Sequence, residues 1–95
     1  MILFLNLEEW QELWYELDYH ITEKNVDQIR SIKSKIEEIC GSDLHDTFIE
    51  NPENMYKLVS SLEEQLIENN KGSGNIKITI TEEEINLLKE LIEQV

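Results

Sequence analysis

The side chains of this sequence that are able to ligate a metal are His20, Cys40, His45 and Asp46. Zinc sites draw their ligands in closely spaced pairs, such as C-x2-C or H-x3-H. Neither spacing occurs here. We therefore expect no metal site and no cofactor, and we interpret the two histidines as ordinary surface or helix-edge residues.

One cysteine and two histidines are enough side chains for nucleophilic catalysis. However, Cys40 ends an apolar helical stripe close to a predicted helix C-terminus, where the helix dipole disfavours a thiolate. It is predicted to be a small buried hydrophobe. The carboxylates are so numerous that pairs arise by chance, and Glu82, Glu83 and Glu84 are explained by a helix start. We expect a protein that is not an enzyme.

Residues 71–74, Lys-Gly-Ser-Gly, precede a strand pattern, whereas the glycines of a phosphate cradle lead into a helix. We interpret them as a flexible loop. Arg30, Lys33 and Lys35 form the one basic region in a chain with 8 basic and 21 acidic side chains and a net charge of −13. Such a charge repels nucleic acid and anionic membranes and attracts basic protein surfaces. We expect neither nucleic acid nor membrane as a direct partner.

Two similar units at the ends of the chain must position these side chains. Residues 76–80 alternate between apolar and polar, as a half-buried strand does. Thr81 and Glu84 then have the spacing of a capping box in front of a helical apolar pattern. The design recurs 75 residues earlier, where apolar residues 2–5 are followed by Asn6 and Glu9. The chain is predicted to begin and end with a strand, a cap and a helix.

The middle of the chain is helical. Periodicity predicts helices over residues 7–21, 26–40 and 52–69, and residues 43–50 are predicted to be a short piece that is either irregular or one to two turns of helix. Asn25 is the predicted cap of the second helix, Gly41 its stop, and Pro52 stands at the first helical position of the third. The fold class is thus α+β, mostly α, with about four helices and two short strands in a single domain of residues 1–95. A lone two-stranded ribbon is marginal, so we expect helices on one face and a free strand edge that dimerises.

The outer face of the first helix is the candidate binding site. Its predicted members are Glu8, Glu12, Tyr15, Glu16 and Tyr19. Exposed aromatic side chains among polar residues are typical of binding hot spots. The alternative is that both tyrosines cover the segment over residues 43–50 in a structural contact.

Two functional hypotheses follow. The first is a small acidic binding protein that docks on a basic protein, in its narrower form a DNA mimic whose carboxylates block a nucleic-acid-processing or defence enzyme. In size and charge the chain resembles small phage-encoded inhibitors of host defence and immunity proteins that neutralise nucleases, although no motif carries this likeness. The second is a structural or regulatory subunit that self-associates through a strand edge and apolar helix faces. The single cysteine and the absence of a leader pattern predict a cytoplasmic protein.

Overall fold

The computed structural model describes residues 1–44 and 51–94, which contain four helices and two short strands. In chain order they are β1 (Ile2–Leu5), α1 (Leu7–Leu17), α2 (Val26–Cys40), α3 (Pro52–Leu66), β2 (Ile76–Thr79) and α4 (Glu82–Gln94). Single turns of 3-10 helix follow α1 at Asp18–His20 and α2 at Gly41–Asp43. The predicted fold class, α+β and mostly α, is confirmed. The predicted short piece over residues 43–50 lies, beyond Leu44, outside the described residues.

The two strands come from opposite ends of the chain and pair antiparallel, with Leu3 opposite Ile78. The ladder continues by one pair, because the Ile80 N–H donates to the Met1 carbonyl at 2.9 Å. Successive residues of a strand point to opposite faces. Leu3 and Ile78 are accordingly buried, whereas Ile2, on the other face, is 45% exposed. The helices cover one face of the ribbon, as predicted.

Each edge of this ribbon is bonded at one position by a side chain, whereas a free edge was predicted. In an antiparallel ladder every second residue directs its N–H and C=O to the outer edge, and Phe4 and Thr79 stand at such positions. The buried Gln65 of α3 accepts the Phe4 N–H at Oε1 and donates from Nε2 to the Phe4 carbonyl, both at 2.7 Å. On the other edge, Lys35 Nζ of α2 donates to the Thr79 carbonyl at 3.1 Å. Each edge therefore has one position bonded by a side chain, Phe4 on β1 and the Thr79 carbonyl at the end of β2.

The loop of residues 70–75 packs against the β1 edge, where the sequence suggested only a flexible connection. A Cβ on Gly72 would overlap the Gln65 amide, and one on Gly74 would overlap the Leu5 backbone. Lys71 Nζ lies 5.6 Å from the centre of the Phe4 ring. The approach to the β1 backbone requires a glycine at position 74, whereas a side chain at position 72 would displace the Gln65 amide.

Both predicted capping boxes form, and each contributes a tertiary contact. Asn6 and Glu9 exchange side-chain and backbone hydrogen bonds at 3.0 and 2.8 Å, and the Glu9 carboxylate also accepts from the Ser61 hydroxyl of α3. At α4, the Thr81 N–H donates to Glu84 Oε1 at 2.8 Å and the Glu84 N–H donates to the Thr81 hydroxyl at 3.2 Å. The Glu84 carboxylate also accepts from Lys35 of α2. Like Glu9, it therefore caps its own helix and bonds a neighbouring one.

Both terminal helices pack against the two middle helices. α1 contacts α2 and α3, and α4 contacts the same two. The apolar side chains between them form the core, with Leu13, Ile32, Leu62 and Leu88 among its buried members. The Trp10 indole N–H donates to the Ile76 carbonyl at 3.1 Å, so that a core side chain also ties α1 to β2.

Two helices end earlier than predicted, and a third ends without the predicted kind of stop. α1 ends at Leu17 rather than residue 21, and Ile21, beyond its end, is 46% exposed. α2 ends where predicted, but Gly41 has right-handed backbone (φ −49°), so the helix does not stop through a left-handed glycine. α3 ends at Leu66, three residues before Asn69, which takes the left-handed conformation (φ 59°). Ile39, at the edge of the apolar arc of α2, is 52% exposed.

Candidate functional site

A groove of about 640 Å³ lies between the α1–α2 connection and α4. One wall runs from Leu17 through the 3-10 turn and residues 21–25 to Gln28. The other wall is a single face of α4 that extends from its first turn to its last. Its members are Glu83, Asn86, Leu87, Glu90, Leu91 and Gln94.

The first wall is shaped by Asn25. Its side-chain Oδ1 accepts the Thr22 N–H at 2.7 Å, and its Nδ2 donates to the His20 carbonyl at 2.9 Å. Asn25 occupies the N-cap position of α2, but its side chain makes no cap hydrogen bond there. The predicted capping role is therefore wrong, because the amide is turned back to hold the connection between the helices.

His20 ties the two walls together at one end of the groove. A carboxylate only accepts hydrogen bonds, so the His20 Nε2–H donates to Glu16 Oε1, at 3.1 Å. The Nδ1 of the same ring lies 3.0 Å from the Gln94 side-chain oxygen on α4. His20 was predicted to be an ordinary helix-edge residue. It has a structural role as well, since it positions Gln94 in the groove.

The groove combines an apolar interior with an acidic rim. Leu17, Leu87 and Leu91 are nearly fully buried beneath it. On the rim, Glu83 and Glu90 of α4 are exposed carboxylates that no described side chain pairs with, and Lys24 is the basic residue on the opposite wall. A surface of this kind suits a ligand that brings apolar and cationic groups together.

Gln28 adds an unused polar group to the groove. Its side-chain Oε1 is buried, and within residues 1–44 and 51–94 no group donates a hydrogen bond to it. A buried acceptor without a donor costs free energy. Asn86, on the facing wall, is exposed. Asn86 thus presents an amide to the groove, and the Gln28 amide oxygen lies buried beneath the groove surface.

The predicted site on α1 is brought together only in part. Glu8 is exposed, and Tyr19 is 79% exposed and lines the groove. Tyr15 is half-buried and packs edge-on against Trp14, with ring centres 4.8 Å apart. Glu16 is held by His20. Glu12 is 1% exposed, so its predicted place on an exposed face is wrong.

The exposed face of α1 is narrower than predicted, since α1 contacts two other long helices. At 100° per residue, Glu9, Glu12 and Glu16 follow the Leu13 flank of the apolar arc. A helix with one neighbour would leave this flank in solvent. Because α1 packs against both α2 and α3, the covered arc is wider, and the exposed face narrows to the side of Glu8 and Tyr19. The alternative contact with residues 43–50 concerns a segment that is, from 45 onward, outside the described residues.

The other residues considered for chemistry have structural surroundings. Cys40 is buried, and burial, followed by the nearby Asp43 carboxylate, raises the pKa of its thiol. In the described part of the chain no three or more His, Cys, Asp or Glu side chains are grouped to hold a metal; His45 and Asp46 lie outside it. Lys33 pairs with Asp18 and lies over the Trp14 ring, so the basic region is partly used within the fold.

Sequence reasoning missed the α4 wall. The sequence analysis explained Glu82, Glu83 and Glu84 by the start of a helix. In the structure this explanation applies to the buried Glu84. Glu83 and Glu90, by contrast, are seven residues apart and share one face with Leu87. This spacing of acids around an inward-facing leucine was the available signal.

Comparison of the chain with protein-family models, with curated proteins and with solved structures finds no match. Among the helices described here, none has the length and unbroken apolar character of a membrane-spanning segment. The site must therefore be interpreted from its own geometry.

Proposed function

We propose that this protein is a small non-enzymatic binding protein that docks on a basic protein partner. The supporting observation is the exposure of its charge. In the described residues nearly every acidic side chain is exposed. The exceptions are Glu9, Glu12, Glu16 and Glu84. Of the basic side chains, Lys33 and Lys35 are engaged in ion pairs inside the molecule.

The docking surface that we propose is the groove together with Tyr19. An exposed tyrosine beside an apolar floor supplies contact area at low entropic cost. The acidic rim adds long-range attraction to a basic surface, which raises the association rate and falls with added salt.

The test is capture of partners from a cell lysate on immobilised protein, eluted with increasing salt. Tyr19→Ala should weaken the retained complex by about tenfold or more if Tyr19 is a hot spot. Tyr56→Ala is the matched control, because Tyr56 is 75% exposed on α3 and outside the groove. A partner without a basic surface, or equal effects of the two variants, would contradict the proposal.

A narrower form of the proposal is that the partner is a nucleic-acid-processing or defence enzyme and that the carboxylates occupy its phosphate-binding surface. Its support is the charge alone. Double-stranded DNA added to the captured complex should then displace the protein by competition. Retention of the complex at saturating DNA would remove this narrower form and leave the general one.

Self-association through a strand edge, the alternative function, has less support. Gln65 bonds both backbone groups of Phe4 and Lys35 bonds the Thr79 carbonyl, which leaves fewer backbone groups for a second ribbon to pair with.

A further inference from the structure

We infer that the groove binds a short, extended, basic segment of the partner protein, of about five residues. This inference rests on the proposed function, and it specifies which part of a partner the groove recognises and in what conformation.

The length follows from α4. Glu83 and Gln94 both line the groove and are eleven residues apart on one helix. At 1.5 Å per residue this wall is roughly 16 Å long. An extended chain advances about 3.3 Å per residue, so about five residues span it.

The charge of the segment follows from the rim. The α4 wall presents Glu83 and Glu90 to the groove, and the carboxylates are roughly 10 Å apart along the helix axis. Alternate side chains of an extended segment lie on one side, about 6.6 Å apart. Lys or Arg side chains on that side can reach both glutamates, while apolar side chains on the other side contact the exposed Ile21.

The extended conformation follows from the amide groups. Gln28 lines the groove, and its Oε1 is buried without a donor among the described residues. If this side chain turns toward the groove, an N–H group of an extended segment supplies the donor. The N–H groups of a helix are already bonded within the helix. The chain itself shows the chemistry, because Gln65 holds the backbone of Phe4 by two hydrogen bonds of 2.7 Å.

The test uses synthetic peptides and amide NMR of the complete protein. The probe is acetylated and amidated Lys-Leu-Lys-Leu-Lys, compared with Glu-Leu-Glu-Leu-Glu. We expect the basic peptide to shift resonances of residues 17–28 and 83–94 in a saturable manner, and the acidic peptide to leave them unchanged. Methylation of the two leucine nitrogens, which removes backbone donors, should weaken binding about three- to tenfold.

Two variants assign the binding to the groove. Glu83→Gln with Glu90→Gln should weaken binding of the basic peptide about five- to tenfold, whereas Glu63→Gln with Glu64→Gln removes the same charge from α3 and should have little effect. Gln28→Met should weaken the unmodified peptide about three- to tenfold and the methylated peptide much less.

Absence of groove shifts at millimolar peptide, or equal effects of the two glutamate pairs, would overturn the inference. Equal loss for both peptides on Gln28→Met would overturn the extended conformation. If a captured partner nevertheless depends on Tyr19 and on salt, the proposed function stands and only the extended basic segment is excluded. If no basic partner is captured while the peptide binds, the proposed function fails instead.

Discussion

Gln65 is the residue whose replacement tests the fold most directly. Gln65→Met keeps a flexible side chain of similar length but removes both hydrogen bonds to the Phe4 backbone. Each backbone group left without a partner costs about 1–3 kcal/mol when buried. Water can reach part of this edge once the side chain is changed, so we expect a total loss near the lower half of the summed range, about 2–4 kcal/mol.

The assay is urea unfolding followed by tryptophan fluorescence, for which the buried Trp10 is an internal reporter. At a urea slope of about 1 kcal/mol per M, the lower end for small domains, a loss of this size should lower the midpoint by roughly 2–4 M. Glu64→Met, at the exposed neighbouring position of α3, is the matched control and should change stability by less than ~0.5 kcal/mol.

A drop of under ~0.5 kcal/mol for Gln65→Met, within the range of ordinary surface changes, would refute this reasoning. It would mean that solvent replaces the side-chain amide at no cost and that the β1 edge is not closed by Gln65 in solution.

Three further predictions concern glycine packing, pH and salt. Gly74→Ala should destabilise the protein by about 2 kcal/mol or more, because the new Cβ overlaps the β1 backbone. Gly41→Ala, which has open space and helical backbone, should be neutral or stabilising by up to ~1 kcal/mol. Equal melting temperatures of these two variants would contradict the prediction. Burial raises the pKa of Glu84, but the Lys35 ammonium and the capping hydrogen bonds outweigh it, so that the folded pKa lies below the ordinary value. The resulting stability is present above the unfolded pKa of about 4.3 and is lost as the pH falls through the folded pKa. Lys35→Met should therefore cost about 2 kcal/mol at pH 7 and much less at pH 3 by urea unfolding; the same loss at both would exclude the ion pair as its cause. Finally, because a charge of −13 repels itself within the folded chain, the melting temperature should rise from low to moderate salt, and a fall would show that attractive pairs dominate.

The sequence was sufficient wherever the interactions are local. Both capping boxes were predicted because Asn6 with Glu9, and Thr81 with Glu84, satisfy each other within one helical turn. The strand and helix types followed from periodicity for the same reason. The role of Gln65 was out of reach, because its partner Phe4 is 61 residues away and an isolated glutamine carries no pattern.

The candidate site was predicted only at Tyr19, an aromatic residue among polar neighbours on a single helix. The α4 wall comes from the other end of the chain, and its approach to Tyr19 depends on how α4 packs against the middle helices. Glu12 was misplaced because a helical wheel gives directions but does not count neighbouring helices. Packing between helices that are distant in the sequence thus explains both why the α4 residues were missed and why Glu12 was misplaced.

The acidic side chains of this protein divide into two groups with different explanations. Glu9 and Glu84 are buried, cap their own helices and bond Ser61 and Lys35 of the middle helices, so the fold itself accounts for them. Among the exposed carboxylates, Asp18 pairs with Lys33 and Glu37 accepts from the Trp14 indole. The others have no such role within the described residues, and a small domain needs a net charge of only about 2–8 in magnitude to stay soluble. Beyond that range each added charge of the same sign opposes the compact state. An excess that neither folding nor solubility requires is better explained by a partner of opposite charge, and the place where exposed acids adjoin an apolar floor and an unbonded amide is the groove beside Tyr19.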